Sequence, residues 1–148
     1  MRVFSNPVGA GSLWFDNLAT AEGMPVAYDP QARNFLPTPP FCANRDIIGC
    51  NWIAPAEGEF CRSCSMTGLA PDTSIADAIP NWAQTEAAKR WVLDNLGRWH
   101  WFRPEDPGAR PVFHLLAEGA TPVPMGHVDG VVTISVAEVD PVLVTTRR

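Results

Sequence analysis

The sequence is poor in positive charge and in long apolar runs. Its 148 residues hold one lysine and ten arginines against sixteen aspartates and glutamates, for a net charge of −5. A chain with this charge balance is not a general binder of nucleic acids or anionic membranes. No apolar run approaches the roughly 20 residues of a membrane-spanning helix, and the N-terminus lacks the apolar segment of a secretory signal. We therefore expect a cytoplasmic protein with no membrane or nucleic-acid partner.

Long regular elements are also expected to be few, because the chain has eleven glycines and fifteen prolines, which favour turns. Residues 1–40 predict small β-hairpins with turns at Asp16-Asn17 and Asp29-Pro30, followed by a Pro-rich connector. The β-branched and aromatic runs 112–116 and 131–136 predict two strands. Together with one intervening helix, these segments predict an α+β fold that ends in a small antiparallel sheet.

Residues 80–99 are the one segment that predicts a long helix. Asn81 is placed to cap its start and Gly97 to end it. Apolar residues at helical spacing predict the buried face, and the polar residues between them predict the exposed face. The predicted buried residues are Ala88, Trp91, Val92, Leu96 and Trp99, and the predicted exposed ones are Gln84, Glu86, Lys89, Arg90 and Asp94.

All four cysteines lie close together in the sequence. Cys42, Cys50, Cys61 and Cys64 have the spacing C-x7-C-x10-C-x2-C. The pair Cys61 and Cys64 forms a C-x2-C knuckle, and Gly49 supplies a turn before Cys50. Four thiolates suit the tetrahedral preference of zinc and leave no open coordination position, which is typical of a structural site. Disulfides in an exported protein, a rubredoxin-like iron site and incidental buried thiols stay open as alternatives.

The cysteine motifs resemble a family of bacterial zinc-binding metallopeptidases with an N-terminal zinc-ribbon region. The likeness rests on Phe41-Cys42-Ala43-Asn44, Gly49-Cys50-Asn51-Trp52 and Phe60-Cys61-Arg62-Ser63-Cys64. It continues through Pro71-Asp72, residues 86–90 and 126–134, and ends at residues 137–140. The resemblance implies three segments: a cysteine-less ribbon-like β unit with its connector at 1–40, a four-cysteine zinc ribbon at 41–74, and the start of a metallopeptidase domain at 75–148.

Two departures from the family pattern qualify what the resemblance implies. The family carries cysteines in a first ribbon, whereas this chain has Ser5, Val8, Thr20 and Gly23 at the corresponding positions. We therefore expect one zinc only, and a first unit held by the packing of Phe4, Trp14, Phe15 and Tyr28. The family also carries an HExxH helix, in which two histidines bind zinc and the glutamate is a general base. The three histidines here, His100, His114 and His127, form no such motif.

A few other residues are candidates for chemistry. His127 and Asp129 would share one face of a strand and could assist a site completed elsewhere, but Asp129-Gly130 also predicts a turn. His114 lies in an apolar strand and is expected to be a core histidine. Residues 98–103 alternate arginines with aromatics and are expected to pack at the helix end rather than to stack on bases. Glu57 and Glu59 are expected in a solvated loop.

The sequence thus predicts a zinc-stabilised, non-catalytic N-terminal module of a metallopeptidase-like protein. Such a module would support a catalytic segment that carries the HExxH helix. Its strand at 131–136 would be the sheet edge on which an extended peptide lies. A stand-alone zinc-ribbon module that docks a protein or peptide partner through its tryptophans is the alternative. A small iron-binding redox protein is the third hypothesis.

Overall fold

The computed structural model describes residues 3–103, 105, 110–119, 123 and 125–139. Two short antiparallel hairpins form its N-terminal part. Their strands are β1 (Val3–Ser5), β2 (Ser12–Trp14), β3 (Ala27–Asp29) and β4 (Asn34–Leu36), with β1 paired to β2 and β3 to β4. Asp29 Oδ1 accepts hydrogen bonds from the backbone N–H groups of Gln31 and Ala32. Asn17 Oδ1 likewise accepts from the N–H of Trp14 at 2.8 Å. Both predicted turns are confirmed, and each is closed by a short polar side chain.

Aromatic rings fill the space between the two hairpins. We call Phe4, Phe15, Tyr28 and Phe35 the aromatic cluster; five of its ring pairs have centroids 5.0–6.3 Å apart, four of them edge-to-face or nearly so and one tilted. The prediction was right for Phe4, Phe15 and Tyr28. It was wrong for Trp14, which is 63% exposed, because it stands on the opposite face of β2 from the buried Leu13.

The part of the chain that holds the four cysteines, which we call the cysteine segment, folds onto these hairpins. It contains a four-residue helix, α1 (Arg45–Ile48), and a 3₁₀ turn at Cys64–Met66. Asn51 Nδ2 donates to the carbonyls of Phe15 and Asn17 at 2.8 and 2.9 Å. The Arg45 guanidinium donates to the carbonyls of Leu18 and Val26. Buried residues from all three predicted segments share one hydrophobic cluster, so the boundaries at 40 and 74 and the ribbon assignment stay predictions.

The long helix, α2 (Ala78–Arg98), follows. Its N-cap is Asp77, in a left-handed conformation, so the capping role predicted for Asn81 was wrong: Asn81 lies inside the first turns. At the other end the N–H of Trp101 bonds to the carbonyl of Leu96, and that of His100 to the carbonyl of Gly97. With His100 left-handed at φ 61°, this is a Schellman ending. The predicted stop at Gly97 was therefore early, because His100 adopts the conformation expected of glycine.

The faces of α2 are largely the reverse of the prediction. Its buried residues are Ala78, Trp82, Thr85, Glu86, Lys89, Arg90, Leu93 and Asp94. Val92 and Trp99, expected inside, are about half exposed. Partners offset the cost of burying three of the charged residues: Glu86 and Lys89 pair with each other, and the Tyr28 hydroxyl donates to Asp94. Of the large residues predicted to be buried, Trp91 alone packs inward, and its ring centroid lies 5.2 Å from that of Phe15.

A four-stranded mixed sheet packs against α2. Its strands are β5 (Thr67–Leu69), β6 (Val112–Leu116), β7 (Gly126–Val128) and β8 (Val131–Ser135), in the order β5-β6-β8-β7. β5–β6 and β6–β8 are parallel and only β7–β8 is antiparallel. The predicted antiparallel sheet was therefore wrong, because α2 carries the chain back over the sheet between β5 and β6. β8 is also an internal strand, so the edge predicted for 131–136 belongs to β7.

The turn predicted at Asp129-Gly130 is confirmed, and it joins β8 to a strand that was not predicted, β7. Asp129 and Gly130 are the two loop residues of this hairpin, both with positive φ, 51° and 79°. This is the two-residue turn with both central residues left-handed that Asp-Gly favours. A 3₁₀ helix at Val136–Val139 ends the described chain. Among the described residues, no helix combines the length and apolar character needed to cross a bilayer.

Candidate metal centre

Four buried sulfur atoms meet in the interior, on the cysteine segment. The Sγ atoms of Cys42, Cys50, Cys61 and Cys64 all lie within 4.8 Å of one another, and the pair Cys50–Cys61 is 3.5 Å apart. We call these four residues the thiol cluster. All four cysteines are free thiols, and 3.5 Å far exceeds the ~2.05 Å of a disulfide bond.

Local backbone structure brings the first two cysteines together despite their long spacing. Helix α1 fills the interval, and Gly49 follows it in a left-handed conformation with φ 66°. Its N–H closes the turn on the carbonyl of Arg45. The chain therefore reverses within seven residues and returns Cys50 to Cys42. The turn predicted at Gly49 is confirmed.

Backbone N–H groups point at the sulfurs. The N–H of Cys64 donates to Cys61 Sγ at 3.3 Å, as expected of a C-x2-C knuckle. The N–H groups of Cys61 and Asn44 donate to Cys42 Sγ at 3.3 and 3.4 Å. Hydrogen bonds of this kind favour the charged form of an acceptor, so the cluster is arranged to hold thiolates.

The sulfurs oppose one another's ionisation in the absence of a cation. Hydrogen bonds from the other three cysteines, Cys50 first, lower the pKa of Cys42. Once that thiolate is present, it raises the pKa values of Cys61 and Cys64, with burial adding to the effect. Four thiolates can coexist here only with a positive ion between them.

The geometry of the thiol cluster fits zinc. Four thiolates at ~2.3 Å from one tetrahedral ion would stand about 3.8 Å from each other, within the range spanned by the observed sulfurs. All four sulfur-bearing side chains are buried. A zinc ion bound here would cross-link the chain, and four protein ligands would leave it no position for water or substrate.

The other candidate residues do not join a second centre. Among the residues that the structure describes, no other group of three or more His, Cys, Asp or Glu approaches closely enough to hold a metal. His127 lies on β7 and Asp129 in the turn, so the turn interpretation holds. His114 is half-buried on β6, where its ring packs over Gly68. Glu57 and Glu59 are exposed, as expected.

The aromatic residues after α2 depart from their prediction. Trp101 is 75% exposed and its ring lies 5.9 Å from that of Trp99, which is also exposed. Phe102 alone is half-buried, with the guanidinium groups of Arg62 and Arg110 over its ring.

The sequence interpretation missed a buried ionic network on α2. Lys89 Nζ lies 2.7 Å from Glu86 Oε1 and donates to Thr67 Oγ1 at 2.6 Å. One turn away, the Tyr28 hydroxyl donates to Asp94 Oδ1 at 2.8 Å, and Arg33 lies 3.6 Å from Oδ2. Burial raises the pKa values of both Tyr28 and Asp94. The signal was present: residues 86, 89, 90 and 94 recur at helical spacing just as the apolar residues do.

An apolar groove of about 600 Å³ runs between α2 and the sheet. Its lining includes Val92, Leu96, Trp101, Phe113, Ile134 and Val139. Three of the five residues that the sequence predicted to be buried on α2 therefore line a surface groove: Ala88, Val92 and Leu96. Val92, at 54% exposed, forms part of its wall.

Fold and site together define a mixed α+β protein with a four-thiol centre. The model of the family described as "Putative zinc-binding metallo-peptidase" matches residues 78–148, which confirms the predicted resemblance. The matched residues include α2 and β6 to β8 but none of the cysteines. The family match and the thiol cluster both fit a zinc-binding module.

Two curated relatives are similar to this chain. The chain is 33% identical over 106 residues to "Uncharacterized protein Rv2568c" of Mycobacterium tuberculosis and, with the same values, to "Uncharacterized protein Mb2598c" of Mycobacterium bovis. The alignments cover 68% of this chain and 31% of each relative. The chain thus spans about a third of the length of these relatives. No solved structure matches it at a significant level.

Proposed function

We propose that this chain is a zinc-stabilised, non-catalytic N-terminal module of a metallopeptidase-like protein. The main observation behind this proposal is the thiol cluster, in which one short segment supplies four buried sulfurs that lie within 4.8 Å of one another. Such a set saturates a zinc ion and makes it a structural cross-link. The family match supports the link to metallopeptidases. The compartment we propose is the cytoplasm, where thiols stay reduced.

The groove between α2 and the sheet supports a scaffolding role. The groove is almost wholly apolar, and an apolar cleft is the usual form of a binding site. The relatives are about three times as long as the aligned region. We therefore assign the groove to an apolar segment of the remainder of such a protein, as the support on which a catalytic helix would lie.

A peptidase assay on the 148-residue chain tests this function. The purified protein, loaded with one equivalent of zinc, is incubated with unfolded casein, with and without a chelator. We expect no chelator-sensitive cleavage, because the thiol cluster offers no open metal position. Cleavage that disappears with the chelator and returns with zinc would contradict the non-catalytic assignment. A variant with Cys61→Ala serves as the control for activity from contaminating peptidases.

A stand-alone module that docks a protein partner is the second candidate. The observation in its favour is the exposed pair Trp99 and Trp101, since large aromatics are frequent anchors of interfaces. Trp101 lines the same groove and Trp99 packs against Trp101, so the two candidates differ in the occupant rather than in the surface.

A further inference from the structure

A polar cleft of about 390 Å³ lies beside the C-terminal end of α2, and its volume is within the range of small-molecule sites. Three parts of the chain form it: the loop between β3 and β4, the C-x2-C knuckle, and the end of α2 with the residues that follow. Its charged lining residues are four arginines and two carboxylates, namely Arg33, Arg62, Arg98, Arg103, Asp94 and Glu105. Four of the ten arginines of an acidic chain therefore meet in one cleft.

The alternating segment 98–103 divides its side chains between this cleft and the apolar groove. Arg98, His100 and Arg103 line the cleft, whereas Trp101 and Phe102 line the groove. The cations of the segment are therefore gathered at one site and its rings at another. The pattern that the sequence presents as interleaved charge and aromatics thus supplies a basic wall to the cleft.

Arg33 brings a cation to the cleft from the hairpin loop. Its backbone is left-handed at φ 57°, a conformation that residues other than glycine adopt infrequently. Its side chain is 30% exposed, and its Nη2 lies 3.6 Å from Asp94 Oδ2, beyond hydrogen-bond length. Its Nε has no hydrogen-bond partner among the described residues. Asp94 thus attracts the guanidinium by charge, and the guanidinium keeps donors for an oxyanion.

The charges of the cleft do not balance. Among the described lining residues, four guanidinium groups face two carboxylates, which leaves a surplus of two positive charges. The C-terminal end of α2 carries a partial negative charge of about half a unit and favours nearby cations, but it offsets only part of this surplus. Arg62 donates to the Phe102 carbonyl and Arg103 pairs with Glu105, so contacts within the protein position both side chains. The cleft is therefore a preformed positive site.

We propose that this cleft binds a small, doubly charged oxyanion, a phosphate monoester or a dicarboxylate, through its arginines. The planar fork of an arginine matches the oxygens of both groups. Two surplus charges match a dianion, and the volume matches a small molecule. The inference goes beyond the proposed function, because neither the thiol cluster nor the apolar groove calls for an anion.

Calorimetric titration of the purified full chain at low ionic strength tests the proposal. The probes are inorganic phosphate, succinate and, as the singly charged control, acetate. We expect saturable binding of at least one dianion that is about 10-fold tighter than that of acetate, because a second charge adds charge-assisted hydrogen bonds. Phosphate alone would assign the cleft to phosphoryl groups, and succinate alone to dicarboxylates. No saturable binding of either dianion below about 10 mM would overturn the proposal.

Three variants locate the bound anion. Arg98→Gln removes an exposed cation of the cleft and should weaken dianion binding about 10-fold. Glu105→Gln removes an exposed carboxylate of the cleft and should tighten binding about 2- to 5-fold. Glu57→Gln, an exposed residue outside the cleft, changes the net charge equally and is the matched control, with no change expected.

Circular dichroism checks that each variant keeps the parental fold. Equal dianion affinity in Arg98→Gln and the parent would overturn the proposal. So would equal affinity in Glu105→Gln and Glu57→Gln, because the charge of the whole chain, not that of the cleft, would then govern binding.

Discussion

Two small units of this chain solve the same problem by different means. Residues 3–36 and residues 41–66 are both rich in turns, and each is too short to bury a sufficient core alone. The first uses the aromatic cluster, whose rings meet edge to face. The second uses the thiol cluster, where a metal can supply the cross-link. The comparison teaches that a short, turn-rich unit without thiols can be held together by aromatic packing against a neighbour.

The largest difference between the units is expected when one of the four cysteines is removed. Cys61→Ala should abolish tight zinc binding and unfold the segment around residues 41–70, because metal binding in such sites is folding energy. Circular dichroism and zinc content would report both losses. Ser63→Ala is the matched control: Ser63 is buried in the same knuckle but its hydroxyl has no hydrogen-bond partner among the described residues. A Cys61→Ala protein that binds zinc as tightly as the Ser63→Ala protein would contradict the assignment.

The sequence could indicate the thiol cluster because its ligands are local. Four cysteines within one short segment, with Gly49 at the turn, leave few ways to fold other than around a common point. The strands β6 and β8 were similarly visible from runs of β-branched residues. The parallel pairing was not visible, because β5 is the three-residue segment Thr67-Gly68-Leu69 and has no strand signal of its own.

Which face of α2 is buried could also not be predicted, and the reason is different. Its apolar and charged residues follow the same helical period, so periodicity alone cannot decide which set faces inward. The decision comes from Thr67, Tyr28 and Arg33, which lie outside the helix and contact buried charged residues of α2. Periodicity therefore indicated the helix but assigned the wrong face.

The second largest effect on stability is expected when a ring of the aromatic cluster is removed. Phe15→Ala should lower the free energy of unfolding by about 3–5 kcal/mol, because Phe15 is 1% exposed and contacts rings on three elements. Denaturant unfolding of the zinc-loaded protein measures the loss. Trp14→Ala, at the next position but exposed, should change stability by only about 0.5 kcal/mol or less. Equal losses in the two variants would show that the rings do not hold the first unit.

A smaller effect is expected where the first unit meets α2. Tyr28→Phe removes the hydroxyl that donates to Asp94 and leaves a buried carboxylate oxygen unpaired, at a cost of about 1–3 kcal/mol. The ring contacts are kept, so the comparison with Phe15→Ala separates hydrogen bonding from packing. Combining Tyr28→Phe with Asp94→Asn should give less than the sum of the two single losses. Strict additivity would mean that this hydrogen bond contributes nothing.

The metal content of the purified chain tests the central claim most directly. Native mass spectrometry together with elemental analysis should find one zinc ion per chain, in a colourless protein. Its four thiols should react with a thiol reagent only after a chelator removes the zinc. A coloured protein containing iron, a metal-free protein whose thiols react at once, or a mass showing disulfides would each contradict the account.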